Sequence, residues 1–131
     1  MASPFRESIV KLLDGIDGGV ACVLMGFDGI TVDTYTRPGG HEGSNGASDA
    51  VPDIQTISME FAHLIAQARR TLDSVEAGAL EEFTLKTDRL TLVVRVLTSE
   101  YFLACAIRPA ASLGRARYLM RLTAPGLRAD L

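Results

Sequence analysis

The side chains in this sequence best suited to act as nucleophile or base are Cys22, Cys105, His41 and His63. A thiol reacts as its thiolate, so a catalytic cysteine needs solvent access and a base or cation beside it. Cys22 lies inside the apolar run 20–25 and Cys105 inside the run 101–107. Burial there raises a thiol pKa and blocks access, so both are expected to be small, reduced core residues. Neither the cysteines nor the histidines cluster at metal-ligand spacing, and no metal is expected. The glycines at 39, 40, 43 and 46 follow a strand but lack the Lys-Ser or Lys-Thr of a phosphate cradle and any dinucleotide spacing. They read as linker, and no cofactor is expected. Glu81-Glu82 and Asp14/Asp17 read as solvated carboxylates. Arg108, Arg115, Arg117, Arg121 and Arg128 gather positive charge near the C-terminus. Arg117 and Arg121 flank a buried stripe while Arg115 falls elsewhere around the helix, so a solvated face outweighs contact with an acidic partner. Nothing here amounts to an active site, and the chain is expected not to be an enzyme.

The elements that carry these residues follow from periodicity. A first helix over about 4–16 has Ser3 as its cap and Pro4 at its first position, with Phe5, Ile9, Leu12, Leu13 and Ile16 inward. Strands at 20–25 and 30–35 flank Gly26-Phe27-Asp28-Gly29, a hairpin signal because the turn needs positive φ. The Gly- and Ser-rich stretch 36–52 cannot build a core and is expected to be a flexible crossover loop. A long amphipathic helix over 53–75 follows, with Ile54, Ile57, Phe61, Leu64, Ile65, Ala68, Leu72 and Val75 as its buried face. Strands at 80–86, 90–97 and 101–107 are joined by short links, so they form an antiparallel meander with the charged 80–86 strand at the edge. A last helix runs over about 111–124, stopped by Pro125-Gly126, with 125–131 a loose tail. Gly114 within it is expected to allow a close neighbour.

With 131 residues and 47% hydrophobic content, the chain suits one folded domain over 1–131 with its core in 4–124. A net charge of -3 and a pI near 5.3 give no electrostatic case for nucleic acid. No apolar run approaches the roughly 20 residues of a spanning helix, so no membrane insertion is expected. The N-terminus carries no export pattern, which leaves a cytoplasmic location as the expectation.

Two features point to contacts instead. Met59, Ala62 and Ala66 form a second small-residue stripe on the 53–75 helix, wider than one sheet needs. Phe27, Asp28 and Ile30 stand at a hairpin tip, as an apolar knob with a polar rim suited to docking another protein. The competing reading tucks Phe27 and Ile30 under a neighbouring helix.

The element order, with three motifs, resembles the roadblock family. The motifs are the strand-turn over 23–30, the apolar strand 90–96, and Ser112-Leu113-Gly114-Arg115-Ala116-Arg117 opening the last helix. Within the family the chain is similar to bacterial regulators accompanying a Ras-like polarity GTPase, the MglB and MglC type. It is nearer the latter because it lacks an extended C-terminal tail. The resemblance implies an α+β sandwich of roadblock/profilin shape. Its five-stranded antiparallel sheet has order 2-1-5-4-3, the long helix on one face and the terminal helices on the other. It implies a homodimer in which the 80–86 strand (Leu80, Glu82, Thr84, Lys86) pairs with its twin and the 53–75 helices lie side by side. It implies a motility or cell-polarity adaptor that binds an MglB-type activator and, through it, a Ras-like GTPase near a cell pole. Direct GTPase activation, or a small-ligand sensor of profilin or PAS shape, are the alternatives. The Gly-rich insertion at 39–46 departs from the family pattern.

Overall fold

The computed structural model describes residues 3–38 and 53–131. Most of the crossover loop expected at 36–52 therefore lies outside the described residues. The elements are α1 (Arg6–Asp14), β1 (Gly19–Gly26), β2 (Thr31–Thr36), α2 (Ile54–Ser74), β3 (Glu82–Lys86), β4 (Thr91–Val96), β5 (Tyr101–Ile107) and α3 (Leu113–Ala129). The strands form one antiparallel sheet in the order β2-β1-β5-β4-β3. β1 is buried along its whole length, as its unbroken apolar character predicts for a central strand.

Alternation along the strands divides the interior in two. Cys22, Leu24, Val93, Leu103 and Cys105 point to the face covered by α1 and α3. Ala21, Val23, Met25, Phe102, Ala104 and Ala106 point to the face covered by α2. The helix faces match their sheets. α2 presents Ile54, Ser58, Ala62 and Ile65, and Ala62 packs with a sheet face rich in alanine. α3 presents Ala116, Met120, Ala124 and Leu127.

Capping fixes the starts of both long helices. Asp53 accepts a hydrogen bond from the Thr56 N–H at 3.2 Å, and Ser112 accepts one from the Arg115 N–H at 3.1 Å. Each such cap is worth about 1 kcal/mol. α1 begins later than its sequence suggests, with Phe5 at the cap position. The Ser3 hydroxyl still accepts from the Phe5 N–H at 3.1 Å, and it donates to Asp33 at 2.6 Å, tying the chain start to β2.

α3 corrects the sequence reading twice. It does not stop at Pro125 but continues to Ala129, so 125–129 are helical and Leu127 is buried. Proline removes one backbone donor, a loss the helix bears because Leu127 and Ala124 anchor its last turns in the core. Gly114 meets no neighbour within 4 Å and faces open space, so no close approach explains it.

Candidate protein-interaction surfaces

The thiols stand where chemistry is least accessible. Cys22 and Cys105 face each other across β1 and β5, both fully buried, with Sγ atoms 3.3 Å apart. Its hydrogen bond with Cys105, then burial, push the Cys22 thiol well above its ordinary range. His63 is exposed on α2, and His41 lies outside the described residues. Among the described residues no group of three or more His, Cys, Asp or Glu is arranged to hold a metal.

The hairpin tip is built by Gly29, whose φ of 86° lies in the left-handed region that glycine favours. Asp28 is fixed by its own turn, its carboxylate accepting from the Ile30 N–H at 3.0 Å. Phe27 is not a free knob. Its ring packs on Phe102 with centroids 5.0 Å apart, and the Arg69 guanidinium covers it at 4.4 Å. Arg69 is itself held by the Ser99 carbonyl at 3.0 Å. The outward apolar group of the tip is Ile30, 67% exposed. Met59 joins it from α2, its Cγ 3.2 Å from where a Cβ on Gly29 would stand.

That contact also fixes which flank of α2 is which. Met59 lies on the side of the β1–β2 hairpin, and Ala66, seven residues on, shares that side. Ala62 is only 1% exposed and belongs to the chain's own core. The expected ridge of Met59, Ala62 and Ala66 is thus no ridge beside β3. Its middle member faces inward, and the outer two face away from that edge.

The surplus apolar surface is on the other flank. Ile57, Phe61, Leu64 and Ala68, assigned from periodicity to the buried face, are half-buried or exposed. Ile57 and Phe61 join Leu85, Leu90 and Leu92 in an apolar cleft of about 300 Å³ between α2 and the β3–β4 side of the sheet. Phe83 and Leu85 on β3 point to this same side and are only partly covered. The misassignment has a simple cause. At 100° per residue, the arc through Ile54, Ser58, Ala62 and Ile65 and the arc through Ile57, Phe61, Leu64 and Ala68 are adjacent, and hydrophobicity favours the wrong one. The usable signal was the pair of small residues, Ser58 and Ala62, which let a helix approach a sheet closely.

Among the described residues β3 pairs only with β4, which leaves its other edge open. Of the edge residues expected to meet a partner, Thr84 and Lys86 are exposed, while Leu80 precedes the strand and is half-buried. Glu82 turns to the α3 face. Its carboxylate accepts from Arg117 at 2.6 and 2.8 Å and lies 3.8 Å from Arg95, so its charge is answered within the chain. The Arg117 guanidinium is in turn held charged by Glu82.

A sandwich with this strand order, a long helix alone on one face and an open third strand at the edge is the roadblock architecture. The chain belongs to the roadblock family. Its particular likeness is to MglC from Myxococcus xanthus, with 30% sequence identity over 98% of this chain and 100% of that chain, and a TM-score of 0.66. An MglB structure with a tetrameric arrangement superposes with a TM-score of 0.81 at 15% identity, covering 99% of this chain and 91% of that one. Profilin IA of Acanthamoeba castellanii gives 0.53 at 16% identity, over 96% and 98%. These last two show the shared fold alone. No family model and no curated protein matches the chain.

Proposed function

We propose that the chain is a non-enzymatic, homodimeric adaptor in a small Ras-like GTPase module, and that it binds an MglB-type roadblock protein. The observation that supports this most is the apolar cleft beside an unpaired strand. A second copy adding its own β3 to this edge would complete the sheet and lay Ile57, Phe61 and Leu64 of the two α2 helices against each other. Such an interface is isologous, the same patch on both copies, and leaves the hairpin tip at the far edge of the sheet free. The strand order supports that separation, since β2 and β3 are the two outermost strands. The tip is the proposed contact for the MglB-type partner, with Ile30 as its apolar group, Asp28 as its rim and Phe27 as its internal support.

Two substitutions separate the roles. Phe61→Glu places a carboxylate in the cleft and should give monomers by light scattering. Ile30→Asp should leave the dimer intact and abolish co-purification with a purified MglB-type protein. Retention of the dimer in the first variant, or of partner binding in the second, would remove that half of the proposal.

A further inference from the structure

The opposite face of the molecule carries a second, differently built surface. α3 contains Arg115, Arg117, Arg121 and Arg128 and not one acidic residue, in a chain whose net charge is -3. Among the described residues a single carboxylate, Glu82, pairs with any of these arginines, and it takes Arg117. Arg115 and Arg128 donate to the backbone carbonyls of Gly15 and Leu97, which fixes their direction and leaves their charge unanswered. Arg121 lies 5.7 Å from the centre of the Tyr118 ring. Between these cations α3 exposes Tyr118 (48%) and Leu122 (57%). Leu122 forms one wall of a groove of about 600 Å³ between α1 and α3, lined also by Lys11, Leu12, Leu119, Thr123 and Gly126.

The geometry points to a docking groove for an acidic amphipathic helix of a partner protein, laid between α1 and α3. From Arg115 to Gly126 the α3 wall is about 16 Å long, the length of three helical turns. A helix with apolar residues at i, i+3, i+4 and i+7 would set them on Leu12, Leu119 and Leu122. Its flanking carboxylates would meet Lys11 on the α1 wall and Arg115 on the α3 wall. A bilayer is planar and cannot enter a groove, and an acidic chain is repelled by anionic lipid, so the surface suits a helix better than a membrane. The groove lies across the sheet from α2, so this inference does not depend on the proposed dimer.

The test is an NMR titration of the full chain with a stapled helical peptide carrying leucine at i, i+3, i+4 and i+7 and glutamate at the flanking positions. Its lysine-for-glutamate twin and phosphatidylglycerol vesicles serve as the comparison probes. The acidic peptide should shift the amides of Leu12, Leu119, Leu122 and Thr123, and added salt should weaken it. Lys11→Glu and Leu122→Ser alter exposed side chains, so both should fold as the parent by circular dichroism and each should weaken binding about tenfold. Absence of groove shifts, equal binding of the lysine twin, or undiminished binding in both variants would overturn the inference. A vesicle response lost in Lys11→Glu would assign the surface to membranes instead. A change of oligomeric state in that variant would assign it to a second copy, and either result also overturns it.

Discussion

Phe27 and Ile30 sit three residues apart on one turn, yet they do opposite work. Phe27 lies between Phe102 and the Arg69 guanidinium, so its removal breaks a ring contact, a cation–π contact and part of the α2-side core. Phe27→Ala should lower unfolding free energy by about 1–3 kcal/mol in a urea titration. Ile30, exposed, should change it by less than about 0.5 kcal/mol when made alanine. A binding defect in a Phe27 variant therefore reports on fold as well as contact, whereas one at Ile30 reports on contact. The cysteines make a separate prediction. With Cys22 opposed to Cys105 and its pKa raised, a thiol-specific reagent at neutral pH should label neither until denaturant is added. Because the folded value lies above the unfolded one, the stability this thiol contributes is present at neutral pH. It should be lost only on the alkaline side, as pH climbs from the ordinary thiol range through the raised value.

At the scale of elements, order and type were legible in the residues and orientation was not. β5 spans 101–107 as expected, and β1, β2, β4 and α2 fall within a residue or two of their expected bounds. Their signals are local: Asp-Gly at the hairpin, the apolar periodicity of α2, short links in the meander. The rotation of α2 about its own axis is not a local property. It depends on Ala21, Ala104 and Ala106 being small enough to pack with Ala62, a fit made by strands far away in sequence. The same holds for α3, where Pro125 signals an end but burial of Leu127 overrides it. Gly114 gives this scale its own test. Since nothing lies within 4 Å of its absent Cβ, Gly114→Ala should stabilise the protein by about 0.5–1 kcal/mol in thermal unfolding. A loss of stability would mean that the first turn of α3 has a close neighbour after all.

The whole molecule is asymmetric across its sheet. One face is sealed by two helices that bury Phe5, Leu13, Met120 and Leu127. Among the described residues the other carries a single helix, which covers β1 and β5 and leaves the β3–β4 side with an apolar cleft. A lone copy thus exposes Leu64 (46%) and half-exposes Phe61 and Leu85 beside an unpaired strand, an arrangement prone to unwanted pairing unless something covers it. A second copy is the proposed cover, and sedimentation equilibrium at micromolar protein tests this most directly. The predicted result is a single species at twice the 14.0 kDa chain mass, reverting to one chain mass in Phe61→Glu. A parent protein that sediments as a 14.0 kDa monomer throughout that range would contradict it.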